Sequence, residues 1–279
     1  MSAAALTGAV FCYLGEVVAT MNVGILGLGT LGRTLALGLR SHDGVSAIAA
    51  TTRTSRETPS ELPCVRMLAS NAELARWSDV LVLCVKPFQV EGVLREIAPE
   101  LRESLLLVST VASVRIESLA TWAQWRVPIV RAMPNMPCRI GSGMTVLAAG
   151  TDVAEEEVAL VTSLFEALGR VAVVNEDLMD AATGLSACGP AYVYLMIEAL
   201  SEAGVKLGIP RRTATLLVAQ TLLGSAKLLL ESGLHPAALR DEVTTPAGCT
   251  VEALMVLEEG RLRSTLANAV IAAASPKAR

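Results

Sequence analysis

"MNVGILGLGTLGRTLALGLR", residues 21–40, decides the fold. Its first half is a short apolar run, rich in β-branched residues, that stops on glycines. Its second half carries leucines at helical spacing. Gly27, Gly29 and Gly32 stand in G-x-G-x-x-G order between the two. In a strand–turn–helix unit the first glycine permits the tight turn, the second lets a pyrophosphate approach the backbone, and the third lets helix pack on strand. Leu28, Thr30 and Leu31 complete the turn, whose backbone N–H groups would face the phosphates. Glycines are common turn residues, so the motif alone is weak. Its place at the head of an alternating pattern makes dinucleotide binding the better reading.

Outward from this unit the pattern repeats. "VSAIAATT" (45–52) reads as a second strand, "DVLVLCV" (79–85) is a continuous apolar run, and "SLLLVST" (104–110) and "PIVRAMP" (128–134) look similar. Such runs fit parallel strands covered on both faces. Helical stretches such as "VEGVLREIAPEL" separate them, which predicts a Rossmann-type, doubly wound parallel sheet over residues 21–175. After residue 175 the strands cease. "EDLMDAATGLSACGPAYVYLMIEALSEAGVKLGI" and "RRTATLLVAQTLLGSAKLLLESG" are long helical patterns, so 176–279 is expected to be an all-α domain. The second is apolar around most of its circumference and needs cover on nearly all sides. A partner subunit is the expected cover. Residues 1–20 are apolar but contain Glu16 and lack a basic leader. They are expected to be an extension outside the fold, with a membrane anchor as the lesser alternative.

The 279 residues carry a net charge of −4 without a dense basic block, which argues against nucleic acid as a partner. Six scattered cysteines form no C-x-x-C pair, and with only two histidines no metal site is expected. Reduced thiols suit a cytoplasmic protein with no membrane partner.

At the end of the second strand an NAD site would place an acid. The chain instead reads Thr51-Thr52-Arg53. Hydroxyls and a guanidinium suit a 2′-phosphate, favouring NADPH with NADH as a second donor. A solvated loop carrying Arg53 is the alternative. Late in the chain, "TTPAGCTVEAL" (244–254) puts hydroxyls, Pro246 and Gly248 before an apolar helix expected to open on Thr250. An open helix start is a site for an anion, or simply a cap.

Taken in order, "VGILGLGTLG", "DVLVLCVKPFQV", "VSTVAS", "RAMPNMPCRIGSGMT", "TGLSACGPAYVYLMIEAL", "AGVKLGIPR", "AQTLLGSAKLLL" and "LRDEVTTPAGCTVEALMVLE" resemble the pyrroline-5-carboxylate reductase family of proline biosynthesis from about Met21 to Ala274. The resemblance implies NADPH-dependent reduction of a cyclic imino acid. The substrate carboxylate would lie on Thr245, Gly248, Cys249 and Thr250, with Thr250 bonded to the ring nitrogen as the catalytic hydroxyl. It implies that Val85, Lys86 and Pro87, and Asn135, line the cofactor, although Lys86 also fits a solvated strand end and Asn135 a turn. It also implies a homodimer or a ring of dimers. Five positions depart from the family pattern: Ser113 and Ala247 replace usual glycines, Ala187 and Cys188 replace Gly and Ser, and Met136 stands where Thr is common. Were Ala247 to need positive φ, it would be strained. These departures leave a six-membered imino acid, or a non-catalytic nucleotide-binding paralogue, as alternatives. A β-hydroxyacid dehydrogenase is disfavoured, because the first interdomain helix lacks its lysine.

Overall fold

The computed structural model describes residues 10–13, 16–53 and 58–274. The expectation for residues 1–20 falls partly outside them. Strands β1 (Val10–Tyr13) and β2 (Glu16–Ala19) pair as an antiparallel hairpin that is not part of the main sheet.

The chain then alternates: β3 (Met21–Leu26), α1 (Thr30–Leu39), β4 (Val45–Thr51), β5 (Val65–Met67), α2 (Asn71–Trp77), β6 (Val80–Leu83), α3 (Pro87–Ile97), β7 (Leu106–Ser109), α4 (Ile116–Trp122), β8 (Ile129–Pro134), β9 (Gly143–Ala149), α5 (Glu155–Glu166) and β10 (Gly169–Val173). The eight strands β3–β10 lie in the order β10-β9-β8-β7-β6-β3-β4-β5. The chain builds outward from β3 through β4 and β5, then returns to its other side at β6. The chain leaving the carboxyl end of β3 passes to one face of the sheet and that leaving β6 to the other, and there a doubly wound sheet binds its ligand.

Within this sheet every pairing is parallel except β8 with β9. The doubly wound parallel sheet expected from the sequence thus carries one antiparallel pairing. The link between those strands is a single 3₁₀ turn, Met136–Ile140, closed by left-handed Gly141. It is too short for a crossover helix, so the chain comes back antiparallel.

Both faces are covered. Val23, Ile25, Val82 and Val108 pack with Leu35 of α1 and Phe165 of α5 on one face. Leu81, Leu83 and Leu107 pack with α2, α3 and α4 on the other. Each such leucine, fully removed from water, contributes roughly 1.5–3 kcal/mol.

This first compact unit runs to Ala187, beyond the boundary expected at residue 175. Residues 176–187 stay with the sheet because Met179 of α6 (Met179–Ala182) is buried against Met133, Val146 and Ala148. Residues 176–187 form a 3₁₀ turn, α6 and a π-turn, Thr183–Ala187, and the long helix starts after them at Gly189-Pro190.

The second unit, Cys188–Ala273, is all helical. It holds α7 (Gly189–Lys206), α8 (Arg211–Ser232), α9 (Pro236–Glu242), α10 (Cys249–Glu259) and most of α11 (Leu262–Ala274). Helices α7 and α8 meet at small residues, where a Cβ on Gly204 would lie 3.1 Å from that of Ala214. Leu216 and Leu223 of α8 are 67% and 63% exposed. This helix is also long and apolar enough to cross a membrane by composition.

Candidate active site

The glycine turn joins β3 to α1. Gly27 has φ +104, and a Cβ there would lie 2.9 Å from the Cys84 carbonyl oxygen. A Cβ on Gly32 would lie 2.1 Å from the Gly27 oxygen, so only glycine lets α1 sit this close to the strand. At Gly29 a Cβ would meet nothing within 4 Å. That open space lies at the start of α1, whose N-cap, Gly29 itself, offers no side chain. The uncovered amides and positive helix end suit a pyrophosphate. Leu28 turns its side chain into the core, leaving only its backbone for a ligand; Thr30 is exposed and Leu31 half-buried. Arg33, unremarked in the sequence, braces the turn by donating from Nε to the Leu28 carbonyl at 3.1 Å and pairing with Glu61.

At the carboxyl end of β4, Thr51 is buried and donates its hydroxyl to Asn71 Oδ1 at 2.8 Å. Its side chain is thus withdrawn from the 2′-phosphate role suggested by the sequence. Thr52 is half-buried and Arg53 exposed just beyond, and no acid interrupts them. At the end of β6, Cys84 N–H donates to the Leu26 carbonyl at 2.8 Å, holding this strand end beside the glycine turn. Burial pushes the Cys84 thiol up to about 12 against a weaker opposing bond from Thr110, so it is neutral at physiological pH. Half-buried Val85 leads to exposed Lys86, which precedes α3; its N–H donates to Gln89 Oε1 at 3.1 Å, and Pro87 takes the first helical position.

Asn135 follows β8. Its Oδ1 accepts from Met144 N–H at 2.9 Å and its Nδ2 donates to the Ser186 carbonyl at 3.3 Å. Both ends of the amide are committed to backbone, so Asn135 ties the π-turn to β9 and acts as a structural pin. Arg131 and Glu176 also escaped the sequence reading. Arg131 of β8 is 3% exposed and donates from Nη1 to Glu176 Oε1 at 3.0 Å, while its Nε and Nη2 have no partner. The buried Ser186 hydroxyl also lacks one.

In the second unit, residues 244–248 form a tight turn before α10. Gly248 N–H donates to the Thr245 carbonyl at 3.0 Å, and the Thr245 hydroxyl lies 2.4 Å from where a Gly248 Cβ would stand. Helix α10 opens on Cys249 with Gly248 as N-cap, one residue earlier than expected. Pro246 lies in the turn rather than in the helix. Thr250 is the second helical residue, so its hydroxyl is not the cap. The amide N–H groups of Cys249 and Thr250 have no backbone acceptor, leaving two donors for an anion. Among the described residues no group of His, Cys, Asp or Glu is placed to hold a metal. The cofactor turn and the Thr245–Thr250 turn belong to different compact units.

Comparison with known proteins gives this geometry a family. A family model described as pyrroline-5-carboxylate reductase dimerisation matches residues 176–279, and one described as NADP oxidoreductase, coenzyme F420-dependent, matches residues 22–113. The pyrroline-5-carboxylate reductase of Pisum sativum is 39% identical over 257 residues, covering 91% of this chain and 93% of its own. The chain belongs to the pyrroline-5-carboxylate reductase family. Among solved structures, the Plasmodium falciparum pyrroline carboxylate reductase with NADP bound is 34% identical with a TM-score of 0.82, covering 91% of this chain and 95% of its own. The Coxiella burnetii reductase is 36% identical with a TM-score of 0.84, covering 91% and 96%.

Within this reductase family two of the departures now have a physical meaning. Ser113 and Ala247, which replace usual glycines, both adopt left-handed backbone, with φ of 62° and 56°. The positions keep the conformation that favours glycine, and the side chains bear the strain.

Proposed function

We propose that this chain reduces the five-membered cyclic imine 1-pyrroline-5-carboxylate to L-proline with NADPH, the last step of proline biosynthesis. The observation that carries the proposal is the open start of α10: two unpaired amides behind a turn built on Ala247 and Gly248. A carboxylate needs fixed donors, and these hold it without a buried arginine. The first unit fits the dinucleotide, since its glycine turn leaves open space at Gly29 and Arg53 is exposed where a 2′-phosphate would lie.

NADPH, when bound, supplies the hydride taken up by the imine carbon. The chain's own residues bind and orient. Thr250 holds the ring nitrogen by a hydrogen bond, and the proton that completes the amine comes from solvent through that hydroxyl. The free amides of Cys249 and Thr250, behind the turn closed by Thr245 and Gly248, fix the carboxylate, which sets the face of the ring presented for reduction. Incubation of the purified chain with pyrroline-5-carboxylate and NADPH should yield L-proline in step with NADPH consumed. Consumption without proline would overturn the proposal.

We also infer that the minimal unit is a homodimer, with rings of dimers built from it, and that α8 is an interface helix rather than a membrane span. The match of residues 176–279 to a dimerisation family and the exposed leucines of α8 support this. A cytoplasmic setting is supported by the free thiols of Cys64, Cys84, Cys138, Cys188 and Cys249, which suit a reducing compartment.

A further inference from the structure

Thr51, Leu26, Leu83, Ser109 and Arg131 pair in register to form one row across the carboxyl edge of the sheet. From β4 to β8 this row spans four strand spacings of about 4.8 Å, or roughly 19 Å. Arg53 lies past one end and the glycine turn follows Leu26. A dinucleotide with its 2′-phosphate at Arg53 and its pyrophosphate at Gly27–Gly32 must extend its nicotinamide end toward β6, β7 and β8.

On that side the chain leaving β7 is held in an unfavourable shape. Ser113 is left-handed, a strain that persists only where neighbours over-determine it. The neighbours are identifiable. Thr110 donates its hydroxyl to the Leu83 carbonyl at 2.7 Å, fixing one end of the loop. Ile116 N–H donates to Glu176 Oε1 at 2.6 Å, fixing the other. Arg115 donates to Asp177 at 2.6 Å, one residue along. Glu176 is in turn held by Arg131.

Arg131 is costly where it stands. A buried ion pair rarely gains net stability, and here two of the guanidinium nitrogens are also without partners. Apolar packing would serve the sheet better, so stability does not account for the residue.

We propose that Arg131 is a positioning residue for hydride transfer: through Glu176 it sets the 110–116 loop that receives the nicotinamide end of the cofactor. This rests on the reading of NADPH as hydride donor given above. The adenosine end, bound at Arg53 and the glycine turn, does not depend on it.

The test uses the full chain with the double variant R131M/E176Q, in which Gln keeps an acceptor for Ile116 and no buried charge is left unpaired. R131K, which keeps the charge, is measured beside it. Three quantities are read: kcat, the affinities for NADPH and for 2′,5′-ADP, and the melting temperature. A misplaced nicotinamide end should lower kcat roughly 10- to 100-fold in the double variant. Binding of 2′,5′-ADP should stay unchanged in both variants, and R131K should recover part of the rate. A folded double variant, or R131K alone, with parental kcat would overturn the proposal. So would equal losses of affinity for NADPH and 2′,5′-ADP, which a general structural role predicts. If the parent does not reduce the imine, the functional proposal fails, while the comparison of NADPH with 2′,5′-ADP binding still judges Arg131.

Discussion

Single side chains at Ser113 and Ala247 carry a cost the backbone geometry exposes. A left-handed non-glycine residue is disfavoured by roughly 1–2 kcal/mol. Both are exposed, so little packing offsets that cost. Ser113→Gly and Ala247→Gly should each raise the melting temperature, although the freer unfolded chain offsets part of the gain, leaving about 1 kcal/mol or less. A thermal melt that falls for either variant would show that its side chain makes a stabilising contact. Arg53→Ala should raise the KM for NADPH and leave that for NADH nearly unchanged; equal losses with both donors would remove Arg53 from the 2′-phosphate. Thiol chemistry gives a third test. Burial keeps Cys84 and Cys138 protonated, while Cys64 and Cys249 are exposed. Alkylation of the native protein should label the exposed pair first, and early labelling of Cys84 would contradict its burial. Of these residues, the sequence marks Arg53, Ser113 and Ala247 by the pattern they break. It cannot mark Arg131, whose partner Glu176 is brought near only by the fold.

Helix α10 decides the chemistry at the scale of an element. With Gly248 as N-cap, Thr250 makes no cap bond, and Thr250→Ala should leave the melting temperature close to that of the parent. Loss of a preorganised hydrogen bond at the reacting nitrogen should lower kcat by roughly 10²-fold. Thr250→Ser should retain much of the rate. Turnover by Thr250→Ala within about threefold of the parent, far short of that loss, would leave only the backbone amides serving the substrate. The start of this helix is legible because Pro, Gly and small residues before an apolar run describe a turn and an end. Its first residue is not, because one position either way fits the same composition. The same limit applies to β9 and β10. β10 is a half-exposed edge strand with only a short apolar run, residues 171–174, and composition does not reveal the direction of β9. The mostly apolar runs of β3, β4, β6, β7 and β8, the last interrupted by Arg131, by contrast follow from burial on two faces.

The whole molecule pairs a doubly wound unit with a helical unit too apolar to stand alone. Leu216 and Leu223 lie two helical turns apart on α8, and their exposure predicts self-association. Sedimentation should show a dimer or larger assembly, and Leu216→Asp with Leu223→Asp should shift it toward monomer. A fully active monomer at dilution would contradict the interface. The chain order of strands and helices is enough to read this architecture. The division at Ala187 rather than at the last strand depends on Met179 and Glu176 docking on β8, contacts between distant parts of the chain. The central claim is that these two units together reduce a five-membered imino acid with NADPH. Initial rates of NADPH oxidation with pyrroline-5-carboxylate and with its six-membered analogue, measured beside the reduction of NADP+ by a β-hydroxy acid, test it most directly. The fastest turnover should be with pyrroline-5-carboxylate, and none with the hydroxy acid. Preference for the six-membered ring would move the assignment to another imine, and no turnover with either imine would contradict the enzyme itself.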